Sequence, residues 1–223
     1  MFTRQTIAEI AAVAAEFQLE PAALLALAEV ESDGVPFADV DGRQEPPIRF
    51  EGHWFDRRLS VPDRLKARAA GLASPFAGRI ANPRAQAARW RLLARAASID
   101  RRAAHEACSW GIGQVMGGHW AALGYADIDE LVAEARSGAA GQARLMARYI
   151  LWAGLRRPLA RHDWRSVARG YNGPEFARLG YDRKLVAAYE RHAAARRPTA
   201  PATRPARRSW RSLLAPFAEW RRP

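Results

Sequence analysis

Between residues 33 and 47 the chain places Asp33, Gly34, Pro36, Asp39, Asp41, Gly42, Pro46 and Pro47. A helix cannot cross that density of turn formers. Proline removes a backbone donor and clashes with the preceding turn, and Gly and Asp favour left-handed corners. The sequence on either side is helical in pattern. Thr6 and Glu9 have capping-box spacing ahead of an apolar run, with Thr3 as an alternative cap, so a first helix is expected to about Phe17. Pro21 opens a second helix, which runs to about Ser32 and stops at Asp33-Gly34. Beyond the break, Ile48-Arg49-Phe50-Glu51 alternates apolar and polar residues, and 33–56 reads as a small β-hairpin or irregular lobe. Helical patterning resumes over 84–97 and 105–109, then over 129–137, 141–153, 164–170 and 173–195. The expected class is α+β, predominantly α-helical, with a small β-lobe set into one catalytic-size domain over 1–195.

The chain has 223 residues, 49% of them hydrophobic, enough to bury a core without a disulfide or metal staple. Its single cysteine, Cys108, excludes an intrachain disulfide, a Cys-based zinc site and an iron–sulfur cluster. No apolar run approaches the length of a bilayer span. Glu9, Glu16 and Glu20 interrupt the Ala-rich start, so no secretory signal is read and a cytoplasmic protein, held there until released, is expected. The net charge of +12 is uneven: residues 196–223 hold eight arginines against Glu219, a net of +7. Residues 196–205 have linker composition. Within 207–222, Trp210, Leu213, Leu214 and Phe217 recur at helical spacing between arginines, a short basic amphipathic segment suited to an anionic membrane or lipopolysaccharide. Nothing resembles a nucleic-acid-binding module, so no nucleic acid is expected as partner.

Three segments can carry chemistry. In Ala28-Glu29-Val30-Glu31-Ser32-Asp33-Gly34, Glu31 stands three, four and seven residues after Ala28, Leu27 and Leu24, and so extends the apolar face of its helix. Apolar surroundings and the negative helix end both push a carboxyl pKa upward. A carboxylic acid that keeps its proton near neutral pH is what glycoside cleavage requires of a general acid. Glu29 points along another row and reads as a surface acid. In Cys108-Ser109-Trp110-Gly111-Ile112-Gly113-Gln114-Val115-Met116-Gly117-Gly118 the glycines lack the dinucleotide fingerprint spacing and follow an apparently helical segment. With Ser109 and Gln114 they suit a backbone passing close to an extended ligand. Tyr171-Asn172-Gly173-Pro174 is a turn with hydrogen-bonding groups at its edge.

In that order, Glu-Ser-x-Gly, Ser-x-Gly-x-x-Gln-x-Met and Tyr-Asn resemble the lysozyme-like glycosidases, including soluble lytic transglycosylases and goose-type lysozymes. Asp41-Gly42-Arg43, Ile48-Arg49-Phe50-Glu51-Gly52-His53 and the Tyr181…Tyr189 pair narrow the resemblance to the phage and prophage N-acetylmuramidases that serve as endolysins, over residues 3–193. The sequence departs from the family at Gly52, where Arg is usual, and at Cys108, where a small residue is usual. The resemblance implies a helical lobe and a small β-lobe with a cleft between them. It also implies hydrolysis of the β-1,4 bond from N-acetylmuramic acid to N-acetylglucosamine in the periplasmic cell wall, by a monomer without a cofactor. Glu31 matches the catalytic acid and Glu51 a second acidic position. Ser109, Gln114, Tyr171 and Asn172 match the sugar cleft.

Each residue also has a plainer reading. Glu51 is either a carboxylate that activates water or the partner of a nearby arginine. Cys108 reads as a buried inert thiol rather than a nucleophile with His105 or His119. The five histidines lack metal-ligand spacing. Trp54, Trp110 and Trp120 are core residues by default, though each can stack on a sugar. Two other functions remain open at this point. One is a lytic transglycosylase, which closes the muramic acid onto its own 6-hydroxyl; the other is a non-catalytic cell-wall or polyanion-binding protein.

Overall fold

Thr3, rather than Thr6, caps the first helix, its Oγ1 accepting the Thr6 amide at 3.1 Å. From that cap the computed structural model describes residues 1–196. Helices α1 (Arg4–Glu16) and α2 (Pro21–Ser32) lead into strands β1 (Ala38–Val40), β2 (Arg43–Glu45) and β3 (Ile48–Phe50). Then come α3 (Gly52–Arg58), α4 (Val61–Ala69), α5 (Gln86–Ala97), α6 (Arg101–Glu106), β4 (Cys108–Trp110) and β5 (Val115–Met116). The chain continues through α7 (Ile128–Arg136), α8 (Ala139–Trp152), α9 (Arg156–Ala160), α10 (Trp164–Asn172), α11 (Phe176–Leu179) and α12 (Tyr181–Arg196). The linker and basic segment read over 196–223 lie outside the described residues but for residue 196. Among the described residues, no helix is long and apolar enough to cross a membrane.

The β-lobe is two small sheets. β1 and β2 form the expected hairpin, turning at Asp41 and Gly42 with φ of 52° and 79°. Positive φ at both corner residues matches the right-handed twist of the flanking strands. β3 instead pairs antiparallel with β4, Ile48 opposite Trp110 and Phe50 opposite Cys108, and β4 pairs with β5. This corrects the helical reading of 105–109. The helix ends at Glu106, and Cys108–Trp110 is the central strand of the second sheet, hydrogen-bonded on both sides and fully buried. Tertiary pairing overrides a local pattern that three residues are too few to display.

Helix α3 begins inside the 33–56 span read as β-lobe, and α9 lies outside the helical stretches of the sequence reading; two further differences have local causes. Helix α4 has no counterpart in the helical patterning read from the sequence, and among its residues only Ala67 is buried, with the apolar Val61 and Leu65 facing solvent. Ser60 nevertheless caps it, accepting the Asp63 amide at 3.3 Å. The single helix expected over 173–195 is broken at Gly180, whose φ of 67° closes α11 and restarts the chain as α12.

The core is divided. One apolar cluster gathers α1, α2, α10 and α12 around Leu24, Leu27, Ile150 and Val167, and a second gathers the β3–β4 sheet with α3, α5, α6 and α7 around Phe50, Phe55, Trp110 and Leu131. Helix α8 supplies both, with Met146 and Ile150 facing the first and Leu145 facing the second. The two lobes therefore share one wall, and the chemistry-bearing segments meet above it.

Candidate active site

Helix α2 is buried on every side from Ala22 through Ala28. A helix apolar all round sits inside the protein, and its last turn surfaces where the two lobes part. Asp33, at φ 52°, ends the helix and turns the chain toward the β-lobe. The two glutamates of this turn have opposite fates. Glu29 faces α12, with Arg191 Nη2 at 2.5 Å and His192 Nε2 at 2.7 Å. Burial raises its pKa, but these two partners outweigh that and hold the carboxyl below its ordinary value. Glu31 has no cation within hydrogen-bond reach among the described residues. Burial pushes its carboxyl from 4.5 up to about 7, against the smaller opposing pulls of the Asn172 hydrogen bond and the Lys184 charge. Asn172 Nδ2 donates to Glu31 Oε1 at 2.6 Å.

The glycine-rich segment forms the facing edge. After β4, Gly111 turns at φ 69° and donates its amide to the Pro47 carbonyl at 2.9 Å. Gln114 holds φ 47°, a left-handed conformation uncommon in a residue with a side chain. Its Nε2 ties it in place, donating to the Gly111 carbonyl at 2.9 Å and the Pro47 carbonyl at 3.3 Å. Beneath, the fully buried Gln142 of α8 accepts the Ile112 amide at 2.9 Å and donates to the Pro36 carbonyl at 3.0 Å. One side chain thus clamps the glycine-rich turn to the β-lobe. Gly113 admits no side chain: a Cβ there would meet Met146 Cβ at 2.8 Å and the Tyr171 hydroxyl oxygen at 2.9 Å.

That hydroxyl donates to the Gly113 carbonyl at 2.6 Å and so joins α10 to the turn. Its pKa, and those of Tyr149 and Tyr181, are raised by burial first and then by the charge of Glu31. A cavity of about 270 Å³ opens above, lined by Glu31, Ser32, Pro47, Arg84, Gln86 and Gln114 among others. A ligand entering it meets the acid on one side and the Gln114 turn on the other.

The structure therefore brings Glu31, Asn172, Tyr171 and Gln114 to one place from segments far apart in sequence. Glu51 lies on the β-lobe just after β3, with Arg49 Nε at 2.7 Å and His53 Nδ1 at 3.5 Å. The nearby arginine of its plainer reading is present. Ser109 is buried in β4, and its hydroxyl lies 3.1 Å from Met116 Sδ rather than beside Glu31. Trp110 is buried in the core with its indole N–H on the His105 carbonyl, and Trp120 bonds Glu106. Cys108 is fully buried, and burial pushes its thiol pKa upward, as expected of an inert thiol. The residues that the sequence did not single out are Gln142, Tyr149 and Lys184, whereas Tyr181, noted there only as one of a tyrosine pair, comes near enough to feel the charge of Glu31. Tyr149 stands in an apolar run that reads as core, and Gln142 and Lys184 carry no motif.

The comparisons bear on this geometry. The N-acetylmuramidase family profile matches residues 20–193, from the start of α2 to within α12. The chain belongs to the N-acetylmuramidase family. It is a lysozyme-type glycoside hydrolase of peptidoglycan, with the mainly helical, two-lobed fold that the motifs implied. The crystal structure of the Burkholderia AP3 phage endolysin superposes with a TM-score of 0.72 at 35% sequence identity, over 84% of this chain and 71% of that one. No curated protein matches the chain. The glycine-rich turn of this muramidase is preceded by a strand, β4, which corrects one ground for setting aside a nucleotide loop. The strand leads through the turn into β5 rather than into a helix, so the turn does not itself open a helix N-terminus.

Proposed function

We propose that this muramidase cleaves the β-1,4 bond from N-acetylmuramic acid to N-acetylglucosamine, with Glu31 as general acid. The observation that carries the reading is a carboxyl at the cleft floor that burial holds at about 7, with one neutral hydrogen-bond donor on it. Such a group still carries its proton at neutral pH and can give it to the glycosidic oxygen as an oxocarbenium-like centre develops. Once ionised, it is stabilised by Asn172 and by the positive charge of Lys184. Gln114, with its backbone strained and its amide anchored, fixes the opposite edge against which the sugar is oriented. Water then attacks the sugar, with Glu51 of the β-lobe as the second carboxylate.

A second reading has one observation in its favour. The Glu51 carboxylate is already engaged by Arg49, whereas closure of the muramic acid onto its own 6-hydroxyl needs only one free carboxyl. Mass analysis of fragments from purified peptidoglycan decides between them. Reducing N-acetylmuramic acid ends from the wild type, absent with Glu31→Gln, establish the hydrolase. Anhydro ends assign a transglycosylase. Fragments from both proteins would overturn the role of Glu31.

A further inference from the structure

Five aromatic rings run from the Glu31 site to the protein surface in unbroken contact. Tyr171 meets Tyr149 edge-on with centroids 5.1 Å apart, and Tyr149 lies 5.7 Å from Trp152. Trp152 is 4.8 Å from His119, which is 6.5 Å from Trp54. The inner end of the run is fixed at the site, since the Tyr171 hydroxyl donates to the Gly113 carbonyl at 2.6 Å and the neighbouring Asn172 bonds Glu31. The outer end is open: Trp152 is 49% exposed, and Trp54 and His119 are half-buried.

These rings do not serve one core. Tyr171 packs on the first apolar cluster, while Tyr149 and Trp54 pack on the second. The run crosses the junction of the lobes, the same junction in which Glu31 lies. Its outer members are held in place from behind. The Arg58 guanidinium stands over one face of the Trp54 ring, 4.6 Å from its centroid, and bonds Glu106 at 3.0 Å, which fixes the indole and leaves only its other face to a ligand. Burial and the Arg58 charge hold the His119 imidazole below its ordinary pKa, so it is a neutral ring at neutral pH, keeping one donor and one acceptor nitrogen.

We infer that Trp152, His119 and Trp54 form a stacking track for pyranose rings of the glycan strand, beyond the sugars held at Glu31 and Asn172. The occupant follows from chemistry and continuity. A pyranose presents an apolar C–H face to the negative face of an aromatic ring, and hydroxyls at its rim to polar groups such as the His119 nitrogens. The continuity is that of the rings themselves, in contact from Tyr171, which shares the Glu31 site with Asn172, out to Trp152, so a strand leaving the site on this side meets them. The inference rests on the reading of Glu31 as the acid that marks where the strand is cut.

The test is calorimetric titration of the full-length Glu31→Gln protein with peptide-free glycan strands. It is repeated with Trp152→Ala and with Trp152→Phe added to that background, each checked for an unchanged melting curve. The track requires Trp152→Ala to weaken binding of long strands about three- to tenfold, the range of one aromatic contact. Trp152→Phe should restore most of the loss, and a fragment of four sugars should be affected less than a long strand. Unchanged binding by Trp152→Ala overturns the inference, as does an equal loss in Trp152→Phe. Cleavage of the strands by Glu31→Gln itself would refute the role of Glu31 while leaving the Trp152 comparison readable at low temperature.

Discussion

Replacing Glu31 by Gln should make the protein more stable at alkaline pH, by an amount that the burial of the acid sets. Below pH 4.5 the carboxyl is protonated in both the folded and the unfolded chain. As pH rises from there, the unfolded chain releases the proton first, because its carboxyl titrates near 4.5 while the folded one titrates near 7. The folded state binds the extra proton through this window, so stability falls as pH rises. Above about pH 7 both states are ionised and the loss is complete. Moving a carboxyl from 4.5 to about 7 corresponds to roughly 3 kcal/mol at 25 °C.

The amide introduced by Glu31→Gln has no proton to lose in this range, and its carbonyl can still accept from Asn172 Nδ2. The stability difference between Glu31→Gln and wild type should therefore be small at pH 4 and grow by about 3 kcal/mol by pH 8.5. For a chain of this size that is about 6 to 12 °C in Tm. Urea unfolding of both proteins at pH 4, 5.5, 7 and 8.5, followed by circular dichroism, measures it. Every other titrating group is common to the two proteins and drops out of the difference, apart from those that feel the charge of Glu31. A difference that stays constant across the series would refute the argument, since a solvated carboxyl would behave in that way.

Asn172→Ala removes the bond that steadies the ionised form of Glu31. The alkaline limb of the lysis-rate profile should move to higher pH, with stability reduced at pH 8.5 more than at pH 4. Gly113→Ala forces a methyl against Met146 and the Tyr171 hydroxyl, and should cost about 1–3 kcal/mol in urea unfolding. Cys108 should resist alkylation in the native protein and react only as the chain unfolds, since its thiol is fully buried with a raised pKa; this is read by mass spectrometry along a denaturant series.

The parts of this architecture that could be read from the sequence are those whose signals are local. Pro21 opening α2, the Asp33-Gly34 stop and the Asp41-Gly42 corner each act within a few residues, and each stands where its chemistry requires. The periodicity of Leu24, Leu27 and Ala28 likewise placed Glu31 on a buried face, and that burial is what raises its pKa. The central strand was hidden because Cys108, Ser109 and Trp110 owe their extended form to Phe50, Arg49 and Ile48, some sixty residues earlier. Helix α4 was hidden for the opposite reason: it buries almost nothing, and its marks are confined to its start, in the Ser60 cap, Pro62 and Asp63. The plain groups around Glu31 could not be found by motif at all. Lys184 comes from α12, and Gln142 and Tyr149 from α8, and only packing brings them to the site.

That packing explains why one helix matters so much to a site to which it contributes no motif. Helix α8 lies between the two cores, and three of its side chains act on the candidate site from below. Gln142 holds the turn that carries Gln114. Met146 sets how close Gly113 and Tyr171 can come. Tyr149 walls the acid and begins the aromatic run. A carboxyl converts loss of water into proton affinity, so the pKa of Glu31 depends on the tightness of walls drawn from both lobes. The strained Gln114 backbone persists for the same reason, because hydrogen bonds from two lobes overdetermine it. The acid and the edge that faces it are thus set by one shared wall, and the fold supplies at neutral pH a proton that an exposed glutamate would already have lost.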